Sequence, residues 1–330
     1  MARLFTWGGE CGDLLEFNTI SGAVISTDAA HTGTYGLKGT VNSHYAQKTI
    51  SPTANNELYV RTWWNPYTDD NGIIMAVGTS DSSLDIRFNY AGGALTVRRG
   101  TTVIATGAIA IGSVDQWYMI ELYVKLANSP NGVATVRIDG VEDIAFTGGD
   151  TLSGSSAAIT YVRFTAGGAT GYHDDIAVND TSGAADNSWC GDGRIIGIKP
   201  NAAGDNTDFT PSAGANYQNV DEVPPDGDTT YNSSDTDGHY DLFNLEASGL
   251  SGATILGVDV KVTACKTVAN GDHMRAKIKT GSTEYNGDDK DILTSYGRLV
   301  QTWRTNPNTS AAWEIAEIDA LQAGYENRAA

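Results

Sequence analysis

The chain has 330 residues, with 21 Lys plus Arg against 40 Asp plus Glu and a net charge of −19. That surplus repels phosphate backbones and anionic lipid, which argues against nucleic-acid and membrane partners. The 38 Gly, 15 Tyr and 40% apolar residues are the composition of a many-stranded, turn-rich protein, and the length fits two domains.

The first ten residues lack a signal-peptide core, which predicts a chain made and left in a cytoplasm. Cys11, Cys190 and Cys265 are odd in number and widely spaced, so they are not a disulfide framework. Glu10-Cys11-Gly-Asp and Trp189-Cys190-Gly-Asp are locally alike. A Cys11–Cys190 bridge is the alternative to the free thiols expected here.

Period-two alternation begins at 57–64 and returns at 84–90, 94–99, 117–126, 133–139, 158–165 and 175–178. One face of each run is apolar and the other carries Arg, Asp, Glu or Thr, the pattern of a half-buried antiparallel sheet. Asn131-Gly, Asp139-Gly and several Gly-Gly pairs between the runs are turn chemistry. The small polar stretch 181–195 predicts a hinge between a domain at 1–185 and a second at 195–330. The second domain opens on a strand at 194–199. No Lys or Arg then occurs until Lys261, which predicts a solvated acidic face. Strands are expected again at 253–264, 273–279 and 294–303. A helix closes the chain, capped by Ser310, striped by Trp313, Ile315, Ile318 and Leu321, and ended by Gly324. Its apolar stripe exceeds what a small β domain would cover, so Trp313 and Ile318 are expected at an intersubunit contact.

Two stretches carry a resemblance. Trp117 leads a strand, Val136-Arg-Ile-Asp139-Gly140 follows as its hairpin partner, and Tyr172-His-Asp174-Asp175-Ile-Ala-Val closes the unit. This resembles the laminin-G and concanavalin-A-like jelly rolls. Over about residues 1–180 it implies an N-terminal jelly-roll sandwich; with the strands and helix read above, the chain is expected to be all-β, with a smaller C-terminal β domain ending in an α-helix. Residues 216–231 and 306–325 resemble modules of tailed-bacteriophage structural proteins. They imply a non-enzymatic accessory virion component, a capsid decoration or a tail, baseplate or fibre part. Its partners would be other virion proteins and copies of itself. Such a protein assembles in the host cytoplasm and is extracellular after lysis. The alternative is a carbohydrate-binding adhesin that contacts a host surface glycan.

The candidate chemistry is sparse. No strand carries the alternating carboxylates that glycoside hydrolysis needs, and no Gly-x-Ser-x-Gly elbow occurs. Asp235, Asp237 and Asp241 surround Gly238 as oxygen donors for Ca²⁺, the one cofactor the sequence suggests. Asp174 and Asp175 are a second candidate, but alternation sends only one of them to each side of a strand. Trp63 and Trp64 alternate likewise, so one faces outward. With Tyr67 it forms the candidate glycan platform.

Overall fold

Strands are the dominant regular structure because polar and apolar residues alternate along the chain. The structure is a computed structural model that describes residues 3–41, 43–51, 56–66, 71–165, 171–269 and 271–329. It divides into two compact units, Met1–Ile196 and Gly197–Ala330.

The first unit opens with β1 (Arg3–Trp7), β2 (Thr19–Ser21), β3 (Val24–Ser26), β4 (Gly36–Gly39) and β5 (Tyr45–Thr49). There follow β6 (Glu57–Pro66), β7 (Gly72–Gly78), β8 (Ser83–Asn89), β9 (Ala94–Arg99) and β10 (Thr102–Thr106). Then come β11 (Tyr118–Lys125), β12 (Gly132–Ile138), β13 (Val141–Gly149), β14 (Tyr161–Thr165) and β15 (Gly171–Asn179). Among the described residues one sheet has the order β13-β12-β11-β6-β15-β4-β3, with β1 also on β15. The other runs β10-β9-β8-β7-β14-β5-β2. The two make the expected β sandwich.

Leu58, Val60, Trp64, Ile120 and Leu122 from the first sheet share a core with Leu84, Ile86, Val97, Val162 and Phe164 from the second. Each such burial contributes roughly 1.5–3 kcal/mol. The Asp139–Gly140 turn joins β12 to β13 as a type I′ hairpin, with φ of +50° and +80°. The Asp139 carboxylate also accepts from the Met119 N–H at 2.8 Å.

The expected hinge is instead a strap across the first sheet, and the units meet in sequence at Ile196 and Gly197. Trp189 lies under the Arg137 guanidinium, 3.8 Å from its ring. The same indole meets Tyr59 and Tyr123 edge-on at 5.3 and 6.3 Å. Arg61 donates to the Gly191 carbonyl, and the Gly191 N–H donates to Glu121, both at 2.8 Å. Cys190 is buried, Cys11 and Cys265 are half-buried, and none of the three is in a disulfide.

The second unit contains β16 (Pro200–Thr207), β17 (Thr210–Pro211), β18 (Asn232–Ser233), β19 (Tyr240–Leu245) and β20 (Val258–Ala264). It continues with β21 (His273–Thr280), β22 (Thr283–Asn286), β23 (Lys290–Asp291), β24 (Gly297–Trp303) and β25 (Gln322–Arg328). Its main sheet has the order β16-β19-β25-β21-β22, while β20 pairs with β24. No strand forms at 194–199, where the Ile195 N–H is taken by the Asp175 carboxylate at 2.6 Å.

The terminal helix α1 is short, Ile315–Asp319, and is capped at Glu314 rather than Ser310. Gly324, read as its stop, lies inside β25. Trp313 and Ile318 do not form an exposed stripe: they are 4% and 6% exposed and pack with Ile278 and Leu321. The Trp313 indole N–H donates to the Trp303 carbonyl at 3.0 Å. The intersubunit expectation for both residues fails, because the side chains that would make it fill a core.

Candidate functional site

The outward face of the second sheet concentrates positive charge. Registers set Arg98 beside Asp85, Asp85 beside Ala76, Ala76 beside Arg163 and Arg163 beside Gln47. Successive strands are about 4.8 Å apart, so Arg98 and Arg163 stand about 14 Å apart across the sheet. Arg87, two residues after Asp85 on β8, faces the same way and reaches the Asp85 carboxylate at 3.3 Å. Ala76 leaves a low floor between the longer side chains.

Arg163 is held flat. Its Nε and Nη2 donate to the Gln47 amide oxygen at 3.1 and 2.8 Å. Its guanidinium lies 4.2 Å from the Tyr45 ring centre and 5.3 Å from that of Tyr161. Planar guanidinium against aromatic faces is a favoured contact, and the fork stays preorganised for a second acceptor. The Tyr161 ring packs over Gly78, where an added Cβ would come within 2.1 Å of it. Burial pushes the Tyr161 hydroxyl up, against the pull of Arg163. Burial likewise pushes the Asp85 carboxyl up, against Arg87, Arg163 and Arg98. Among the described residues, Nε of Arg87, Nε of Arg98 and Oγ1 of Thr165 are buried without a hydrogen-bond partner.

A second cluster sits on the outward side of the first sheet. A bulge on β15 between Asp174 and Ala177, with Asp175 at φ +48°, turns both carboxylates to the loop at His31 and Thr32. Asp174 accepts from the N–H groups of His31 and Thr32 at 2.7 and 3.1 Å. Asp175 accepts from His31 Nδ1 at 2.8 Å and from the Thr32 hydroxyl at 3.0 Å. Both aspartates are fully buried. Burial, then the Asp175 charge, pushes Asp174 up to about 8, against three backbone donors. These partners fill the carboxylates, and the cluster pins a loop instead of offering ligands. The expectation that the two aspartates face opposite ways fails at the bulge.

The other sequence candidates are dispersed. Trp64 is fully buried and meets Phe88 edge-on at 5.3 Å, so it offers no face to a sugar. Trp63 faces outward but is covered by the His31 ring at 4.0 Å, nearly parallel. Tyr67 lies outside the described residues. Asp241 is fully buried, accepting from the Phe209 N–H at 3.0 Å and the Asn216 amide at 2.8 Å. Asp237 instead accepts from Arg328 and the Ala329 N–H, at 3.3 and 3.0 Å. Asp235 accepts from the Thr236 hydroxyl at 3.2 Å. The calcium triad is therefore not assembled, and no cluster of three metal-binding side chains occurs among the described residues. The arginine face was missed in the sequence, although Arg87, Arg98 and Arg163 all sit at outward positions of recognised strands.

No family model and no curated protein matches this chain. Several solved structures are similar at low identity. An endo-β-1,4-glucuronan lyase from Trichoderma reesei is 14% identical, with TM-score 0.40, over 54% of this chain and 96% of its own. An alginate lyase from a Chlorella virus is 11% identical, with TM-score 0.37, over 54% and 99%. A protein of unknown function with a galectin-like fold, from Bacillus subtilis, is 15% identical, with TM-score 0.35, over 54% and 96%. These likenesses assign no site residue. Two of the three are polysaccharide lyases, against the non-enzymatic expectation, and at these identities and TM-scores they give this chain no activity of its own. That expectation rested on the missing paired carboxylates, which are a requirement of glycoside hydrolysis and not of every reaction on a glycan.

Proposed function

We propose that the chain is a surface component of a tailed-bacteriophage particle whose first unit binds a glycan on the outward face of the second sheet. The glycan reading is carried by Arg163, fixed between Tyr45 and Tyr161 and hydrogen-bonded to Gln47. Aromatic faces suit the C–H surfaces of sugar rings, and a preorganised guanidinium suits their oxygens. The particle reading is supported by the resemblance of residues 216–231 and 306–325 to modules of phage structural proteins.

Binding of the full chain to immobilised polysaccharides tests the first part, with Arg163→Gln beside the unchanged protein. Saturable binding that this substitution weakens about tenfold is expected. Binding that survives it unchanged removes this face from the reading. Following polymer length in the same incubations separates retention from cleavage. Antibody labelling of intact particles tests the second part: label on the particle surface is expected, and its absence there rejects the particle reading.

A further inference from the structure

The arginine face has an imbalance that glycan binding in general does not require, and the inference drawn from it rests on the reading above. The chain as a whole carries 40 acidic against 21 basic side chains. On this face the ratio inverts: among the described strand residues, Arg87, Arg98 and Arg163 surround the single carboxylate Asp85. Among the described residues of these strands, three positive charges face one negative. The Nε atoms of Arg87 and Arg98 are buried and lack a partner among the described residues. Buried donors left unpaired cost free energy, and a charged acceptor repays that cost better than a neutral hydroxyl does. The acidic surplus elsewhere repels a polyanion, so the same charge pattern that discourages general adhesion would confine such a ligand here.

We infer that this face takes a polyanionic glycan, whose carboxylate or sulfate groups are received by Arg87, Arg98 and Arg163. The row from Arg98 to Arg163, about 14 Å at one strand per 4.8 Å, is the length of a short oligosaccharide rather than of one ring. A carboxylate or sulfate oxygen above the Ala76 floor would compete with Asp85 for the guanidiniums. Two residues beyond Arg163 on the same strand, the Thr165 hydroxyl is buried and unpartnered among the described residues.

Titration of the full chain with matched polymers tests this. The probes are polygalacturonate against its fully methyl-esterified form, and dextran sulfate against dextran. Each pair shares a backbone and differs in charge, and comparing the two charged members separates carboxylate from sulfate recognition. At least one charged polymer is expected to bind tenfold or more tighter than its neutral partner. Arg98→Gln and Arg163→Gln should each reduce that binding about tenfold with the unfolding midpoint retained. Asp85→Asn should strengthen it, an effect that a purely structural role for Asp85 would not produce. Equal binding of charged and neutral partners, or binding indifferent to both arginine substitutions, overturns the inference while leaving glycan binding intact. Failure of all four polymers to bind overturns both.

Discussion

Asp174 and Asp175 are neighbours on one strand, yet both carboxylates grip the same loop, at His31 and Thr32. A regular strand would separate them. The left-handed conformation of Asp175 cancels the alternation and leaves two buried acids side by side.

That pairing has a pH signature. The Asp174 carboxyl is raised from 3.8 to about 8, mainly by burial. The folded chain therefore keeps a proton that the unfolded chain releases, and this contribution is complete below about pH 4 and lost as pH rises through 8. Buried His173 acts oppositely: it is lowered from 6.5 to about 4, so its contribution is present above 6.5 and lost as pH falls through 4. The two oppose each other from pH 4 to 6.5, and from 6.5 to 8 the Asp174 effect acts without that opposition. Urea unfolding across this upper window should show stability falling with pH in the native protein and a flatter profile in Asp174→Asn. Identical slopes would refute the assignment.

The adjacent tryptophans should separate in energy. Trp64 is fully enclosed in the sandwich core, so Trp64→Ala should cost about 3–5 kcal/mol. Trp63 contributes chiefly its stack on His31, and Trp63→Ala should cost about 1 kcal/mol. Denaturant midpoints decide the matter, and equal losses would contradict the placement.

Trp189 should act as the fastener of the strap. Trp189→Ala removes the Arg137 contact and both tyrosine contacts, worth about 1–3 kcal/mol together. Limited trypsin digestion should then cut after Arg194 in the variant well before it does in the native chain. Equal cutting rates would show that the backbone bonds of Gly191 hold the strap without the indole.

The strands of the first unit were legible because their alternation is strong, and Asp139-Gly140 announced its hairpin. The strap was not. Its small polar residues look like a linker, and only the tertiary structure shows Trp189 and Cys190 anchored on the sheet. Asp235, Asp237 and Asp241 are close in sequence, but Asp241 begins the inward face of β19 and is drawn away to Phe209 and Asn216. The arginine face failed to surface for a related reason. Alternation gives the side of the strand on which Arg87, Arg98 and Arg163 stand. It does not give the order β9-β8-β7-β14, which brings them together.

The strand order also sets a timetable for synthesis. β15 is the last strand of the first unit, yet it lies inside its sheet, between β6 and β4, and receives β1 through the pairing of Arg3 with Asn179. A chain emerging from the ribosome therefore holds β6 with one edge bare until residues 171–179 are out. Contacts of such long sequence separation slow folding and leave pairing edges exposed meanwhile. Interrupted translation before Gly171 would release a half-sheet whose bare β6 edge is prone to recruit other strands.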